Sequence, residues 1–367
     1  MKSTPGTVHH VTAADGGHTL AAFLRAKLGQ VSWSQVHALV RSRRVLIHGN
    51  LCTDAARRLA EGEVVKLLES PAAAPPRAGD VRVVHLDDDV VVVEKPTGVT
   101  TTRHHEEASW PARRRQVQPT LDELVPDAIG RFLATRGRRA RGPDRGPDRG
   151  PAPRRTRVPP VRAVHRIDRE TSGLVVFARN VPASRILAEQ FRLHTTHRRY
   201  LALVVGRVAA RTIRSRLVRD RGDGRRGSTS DEEGKEAITH VAPLEQFGDA
   251  FTLVECRLET GRTHQIRIHL AESGHALCGE RVYAGAPRRG RPADGSQAPR
   301  VMLHAAELGF VHPVTGEELR FESPLPDDMR RVIARLRAGE AGRGGEPAAR
   351  RKRKDGRGPG GSPNASP

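Results

Sequence analysis

The densest chemistry in the chain lies in the stretch Val164-His165-Arg166-Ile167-Asp168-Arg169-Glu170-Thr171-Ser172-Gly173-Leu174-Val175-Val176-Phe177. One carboxylate, Asp168, stands between two guanidiniums, Arg166 and Arg169. Nearby positive charge favours the ionised acid. Such a carboxylate can serve as a nucleophile or a base. It can equally be half of a structural ion pair, because ion-pair networks also perturb titration, and the local pattern leaves these readings open. A second concentration is Thr260-Gly261-Arg262-Thr263-His264-Gln265-Ile266-Arg267-Ile268-His269-Leu270. A glycine between a strand and a helix turns backbone N–H groups and the positive end of the helix dipole toward an anion. His264 and Arg267 are three apart and share a helical face. His264 and His269 are five apart and do not, which removes them as a metal pair.

Both stretches need strands and helices to hold them. Leu174–Phe177 is an apolar run bounded by Gly173 and the polar Arg179-Asn180, which predicts a strand. Val81–Leu86 and Val90–Glu94 predict a hairpin around Asp87-Asp88-Asp89; flanking strands make these carboxylates a turn rather than a metal site. Further strands are expected over Arg198–Val204, Glu236–Leu244, Ala250–Glu259 and the stretch beginning at Leu303. Val181–His194 reads as a helix with Ile186, Leu187 and Phe191 inward. Thr120–Thr135 reads as a helix on Leu121, Leu124, Val125, Ile129 and Phe132, interrupted by Pro126. Residues 219–234 and 285–299 read as loops. The fold class expected is α+β, with a mixed, mainly antiparallel sheet.

The organisation along the chain is uneven. Residues 1–17 are polar and expected to be flexible. Residues 18–69 form a small basic α/β module. Leu20, Phe23, Leu24 and Leu28 have helical spacing, with Gly29 as a stop. Ser32 and Gln35 make a capping box for a second helix, with Val31 and Val36 placed for a hydrophobic staple. Arg41, Arg43 and Arg44 follow, then the strand Val45–Ile47 and a last strand from Glu63 to Leu68. Residues 70–79 are a Pro/Ala linker, and a larger domain is expected over 80–335. Within it, residues 137–160 are nearly all Arg, Gly, Pro and Asp and are expected to be a disordered insertion. Residues 339–367 are expected to be a disordered basic tail.

Composition narrows the partner. Lys and Arg number 63 against 42 Asp and Glu, a formal net charge of +21 in 367 residues. That excess favours a polyanion through counterion release. Cys52, Cys256 and Cys278 are far apart, so neither a zinc site nor a disulfide framework is signalled. No leader-like apolar segment follows Met1, and no apolar run is long enough to cross a bilayer. A cytoplasmic protein with no metal and no cofactor is the expectation.

The His165-Arg166-Ile167-Asp168-Arg169-x-Thr171-Ser172-Gly173-Leu174 motif resembles the catalytic signature of the RluA-type pseudouridine synthases, whose usual form has Leu where Ile167 stands. Three further segments resemble that family in the same order. They are Glu94-Lys95-Pro96-Thr97-Gly98, the Thr260–Leu270 stretch, and Leu303–Pro313. Arg198-Arg199-Tyr200-Leu201-Ala202 is similar to its basic-x-Tyr-x-Ala segment. Gly274-His275-Ala276-Leu277-Cys278-Gly279-Glu280 departs from its usual Gly-His-Pro-x-x-Gly-Asp, with the charge kept. The resemblance implies conversion of uridine in RNA to pseudouridine without cofactor or metal. It implies Asp168 as the catalytic carboxylate, Tyr200 packing on the target base, and Arg267 pairing with Asp168. Arg166 would support the gap left by a flipped-out base, Lys95 would contact substrate through a phosphate, and Arg262 and His264 would contact it as well. The 18–69 module resembles the RNA-binding domain shared by ribosomal small-subunit protein four and several RNA enzymes, which makes Arg41, Arg43 and Arg44 RNA contacts. The implied partner is RNA, with 23S ribosomal RNA ahead of transfer RNA, acted on by a monomer. Two rival readings are a non-catalytic RNA-binding or ribosome-assembly factor, and a glycosidase using Asp168 with Glu170. The latter needs two acids across the substrate, and Glu170 lies in the same turn.

Overall fold

The computed structural model describes residues 7–47, 50–72, 74, 77–103, 118–140, 158–221, 225–230, 232–284 and 293–344. The small module is built as its capping signals require. Helix α1, Leu20–Leu28, starts where the Thr19 hydroxyl accepts from Ala22 N, and stops at Gly29, whose φ of 68° a side chain would resist. Helix α2, Trp33–Arg41, carries the Ser32/Gln35 capping box. Val36 is buried and Val31 packs on the same cluster. Strands β1 (Val8–His10), β2 (Val45–Ile47), β3 (Asn50–Leu51) and β4 (Val64–Leu67) form a four-stranded sheet in the order β1-β4-β2-β3.

Strand β1 corrects the expectation of a flexible stretch over residues 1–17, of which 1–6 lie outside the described residues. Val8–His10 pair antiparallel with β4. Backbone ladder bonds need no side-chain pattern, so nothing in Val-His-His announced the strand. The linker is also tied down at its start. Arg44 Nε donates to the Leu68 carbonyl at 3.0 Å, and Arg43 Nε to that of Ala72 at 3.2 Å.

The large sheet contains β5 (Arg82–Leu86), β6 (Val90–Lys95), β7 (Arg162–Ala163), β8 (Ser172–Ala178), β9 (His197–Val205), β10 (Arg211–Val218), β11 (Gly227–Thr229), β12 (Lys235–Phe247), β13 (Phe251–Leu258), β14 (Leu303–Val311) and β15 (Glu318–Glu322). Its main order is β11-β10-β12-β13-β9-β14-β8-β6-β5, with β15 on β14 and β7 on β8. The β8–β14 pair is parallel and its neighbours are antiparallel, as the mixed, mainly antiparallel reading requires. Strand β11 falls inside the expected loop 219–234, whose Gly- and Arg-rich composition hid it.

Helices cover both faces of the central strands, so those strands read as continuous apolar runs rather than alternations. On one face Val91, Val93, Val175 and Phe177 pack with helix α3 (Leu121–Ala140) and helix α5 (Gln265–Glu272) through Leu121, Val125, Ile129, Ile266 and Leu270. On the other, Val90, Val92, Leu174 and Val176 pack with helix α4 (Val181–Arg192) through Ala183, Leu187 and Phe191. Helix α6 (Asp327–Gly344) closes a further cluster through Met329, Val332 and Ile333. Pro126 lies inside α3; the packing of Val125 and Ile129 on either side offsets the backbone bond it removes. Two expected boundaries move. Helix α3 runs to Ala140, into the segment expected to be disordered over 137–160, and Val158 packs on the core at its far end. Residues 141–157 lie outside the described residues. Helix α6 runs to Gly344, so residues 339–344 are not tail; residues 345–367 lie outside the described residues.

Gly173 carries a fold requirement that also serves the site. Its φ is 114°, and a Cβ there would lie 2.2 Å from the Ala305 carbonyl oxygen of β14. Only glycine lets β8 approach β14 so closely directly after the Asp168 loop.

Candidate active site

The loop from Val164 to Thr171, between β7 and β8, is held by its carbonyls. Thr101 Oγ1 donates to the Ile167 carbonyl at 3.0 Å and accepts from Ile167 N at 3.2 Å. The Arg169 carbonyl accepts from Gly98 N at 2.8 Å and from Lys95 Nζ at 3.0 Å. The Glu170 carbonyl accepts from Thr97 Oγ1 and Arg300 Nη1, both at 3.1 Å. Arg300 is in turn fixed by Asp328, with bonds of 2.6 and 3.0 Å. Ile167 plugs into the core beneath. His165 accepts from Val176 N at 3.0 Å and stacks on Phe191 at 4.3 Å. Burial and then the Arg198 charge push its pKa down to about 3, which keeps it a neutral acceptor. The backbone around Asp168 is thus clamped while its side chain projects into a cavity of about 560 Å³.

That cavity is lined by Arg166, Arg198, Tyr200, Arg262, His264 and Arg267, among others, and among the described residues Asp168 is the one acid on its wall. Asp168 Oδ2 lies 3.7 Å from Arg267 Nη1, and Oδ1 lies 3.8 Å from His264 Nε2. Arg267 is closer to Glu280, with Nε–Oε2 at 2.7 Å and Nη2–Oε1 at 2.9 Å. Burial alone would raise the Glu280 pKa, but the Arg267 hydrogen bonds and charge outweigh it and leave it lowered. His264 caps α5 with a φ of 59° and pairs its Nδ1 with the Tyr283 hydroxyl at 2.6 Å. The chain has only two tyrosines, and both stand at this site. Burial raises the Tyr200 hydroxyl to about 12, so it is a neutral phenol. A carboxyl group, a guanidinium beside it and a neutral aromatic wall can hold a planar base and act on the sugar or ring attached to it.

The structure brings Asp168, Tyr200, Arg267, Arg166, Arg262 and His264 together around the cavity. Arg166 is exposed there, without a hydrogen bond or ion pair among the described residues. Lys95 does not reach it as a phosphate contact. Its side chain is buried, with Nζ donating to the carbonyls of Val99 at 2.8 Å and of Pro96 and Arg169 at 3.0 Å. Apolar neighbours on β6 draw the aliphatic stem inward, and three carbonyls there match its donors. Arg43 likewise spends a hydrogen bond on Ala72 of the linker and Arg44 on Leu68 just before it, while Arg41 stays exposed. Thr101, Arg300, Tyr283 and the role of Glu280 were missed. The scarcity of tyrosine could have flagged Tyr283; Arg300, after a Gly/Pro/Arg loop, left no signal.

Asp87, Asp89 and His312 meet in space and could offer three atoms to a cation. Those groups already bond within the protein. Asp87 accepts from His85 Nε2, Asp89 N and Val90 N, Asp89 accepts from Asn180 Nδ2, and His312 Nδ1 accepts from Val314 N and Thr315 N.

A mainly antiparallel sheet presenting a clamped aspartate to a basic, tyrosine-walled cavity defines the class. Residues 89–272 match the RNA pseudouridylate synthase family, and the chain belongs to it. It is 46% identical over 176 residues to "Uncharacterized RNA pseudouridine synthase YlyB" of Bacillus subtilis, a match covering 47% of this chain and 55% of that protein. It is 42% identical over 180 residues to "Ribosomal large subunit pseudouridine synthase D" of Zymomonas mobilis, again covering 47% and 55%. The chain therefore spans about half the length of the curated relatives it matches. In fold it is similar to human RNA pseudouridylate synthase domain containing 4, with a TM-score of 0.51 at 21% identity, over 70% of this chain and 93% of that one.

Proposed function

We propose that the protein is an RNA pseudouridine synthase that uses Asp168 on a uridine of large-subunit ribosomal RNA, in the cytoplasm. The observation that carries this reading is the Asp168 carboxylate on its clamped loop, 3.7 Å from Arg267 in a cavity walled by Tyr200. The reaction conserves atoms. The C1′–N1 bond breaks, the base turns, a C1′–C5 bond forms, C5 loses its proton and N1 gains one. A single carboxylate can serve by attacking covalently or by stabilising a sugar cation, then relaying the proton. A stacked uridine is out of reach and must be flipped out. Arg166, exposed at the cavity wall, supports the vacated stack, and Tyr200 receives the base. Arg267, 3.7 Å away, orients Asp168. The exposed Arg41 and the small N-terminal sheet module grip RNA beyond the target. The relatives named for the ribosomal large subunit support the choice of substrate.

The test is tritium release from RNA labelled at uridine C5, with wild type and Asp168→Asn. Release by the wild type and none by the variant is expected, with unchanged melting. Equal release from both would remove Asp168 from the chemistry. Mapping pseudouridine across stable RNAs of a deletion strain tests the substrate; a missing site in transfer RNA alone would overturn the ribosomal assignment.

A further inference from the structure

We infer that Arg198, Arg262 and His194 form a phosphate cradle on the wall of the Asp168 cavity, which holds a phosphodiester flanking the target nucleotide. This rests on the RNA reading above and adds the ligand of residues that reading leaves without a role. Arg198 and Tyr200 are two apart on β9, so their side chains project from one face into the same cavity. The Arg198 residue is 8% exposed. Its Nη2 donates to the Glu259 carbonyl at 3.1 Å, while its Nε is buried with no acceptor among the described residues. No carboxylate among the described residues pairs with it.

A buried cation without an anion is costly, and one carbonyl dipole offsets only part of that cost. The position is nonetheless built in. The guanidinium stands 6.0 Å over the Phe191 ring, and a Cβ on Gly261 would come 2.6 Å from its Nη1. Arg262 lines the same cavity, with its Nε on the Glu236 carbonyl at 2.9 Å and no carboxylate partner among the described residues. His194, held at a φ of 59°, lines the same cavity as both, and burial first and then the charges of Arg198 and Arg262 lower its pKa. Two guanidiniums and an imidazole therefore converge without an acid, since Asp168 is engaged by Arg267 and His264. A phosphodiester supplies the missing charge, and the planar arginine fork suits paired anionic oxygens. Arg198, Tyr200 and Asp168 line the one cavity. A nucleotide with its phosphate on Arg198 and its base on Tyr200 is thus within reach of Asp168.

The experiment uses short RNA substrates with a neutral methylphosphonate 5′ or 3′ of the target uridine, turned over by wild type, Arg198→Met and Arg198→Lys. For the wild type, one of the two substitutions should raise KM about tenfold to a hundredfold with kcat little changed. Arg198→Met should show a similar rise on unmodified RNA and then ignore that methylphosphonate, with Arg198→Lys recovering part. An arginine that only packs on Phe191 would move the melting curve and leave this discrimination intact. If wild type ignores both substitutions, or Arg198→Met discriminates as strongly as wild type, the cradle is wrong. If Arg198→Met fails to fold, Arg262→Gln at the cavity rim carries the same comparison. Should the wild type turn over no RNA, the proposed function fails on its own, and equilibrium binding of the same RNAs still reads the cradle.

Discussion

Replacing Arg267 by methionine takes away a cation that two carboxylates share. Glu280 is its near partner, with a side chain 0% exposed against 7% for Arg267. Stranding that buried charge should lower stability by about 3–5 kcal/mol. Asp168 is the far partner at 3.7 Å. At an effective dielectric constant of about 20 this pair is worth about 4.5 kcal/mol of gross Coulomb energy. If half of that acts in the transition state, kcat falls about fortyfold. The two losses separate in the double variant Arg267→Met/Glu280→Gln. Glutamine carries no charge to strand, yet still offers an oxygen to Val282 N and Tyr283 N, which Glu280 Oε1 accepts at 2.8 and 3.3 Å. Stability should return to within about 2 kcal/mol of wild type, while activity stays low. Equilibrium denaturation and tritium release from labelled RNA are the two assays. A double variant that regains its activity along with its stability would mean that Arg267 serves Glu280 alone and that the Asp168 argument is mistaken.

Two further predictions concern the groups that hold the site and the sheet. Lys95→Met leaves buried carbonyls short of a donor and should cost about 3 kcal/mol, with kcat falling as the Asp168 loop loosens; unchanged melting with a raised KM would instead make Lys95 a substrate contact. Glu307 bonds to Arg320, Arg199 and His197. Burial alone would raise its pKa, but those hydrogen bonds bring it from 4.5 down to about 2. A carboxylate lowered on folding contributes stability above its unfolded value, and that contribution is lost as pH falls from about 4.5 toward 2. Glu307→Gln should therefore flatten this part of the stability–pH curve, and an undiminished acid slope in the variant would refute the assignment.

Contiguous sequence was enough for the Asp168 loop, the strand that follows it, the capped helices α1 and α2, and the mainly antiparallel class, because turn chemistry, capping and apolar runs are local. The expectation that Asp168, Arg267 and Tyr200 share a site came from the family resemblance, and the three line one cavity. Only the tertiary structure decided which charges meet. Glu280 lies 13 positions beyond Arg267 and reaches it through a turn. Arg300, 130 positions beyond Glu170, pins the Asp168 loop from behind. Lys95 looked like a phosphate contact in the linear chain, but packing turned its stem inward to three carbonyls. Strand β1 and the extents of α3 and α6 were equally hidden. The physical reason is common to all of these. A long charged side chain is indifferent to its sequence neighbours, and its partner is whichever group the packed core leaves within reach when water is excluded.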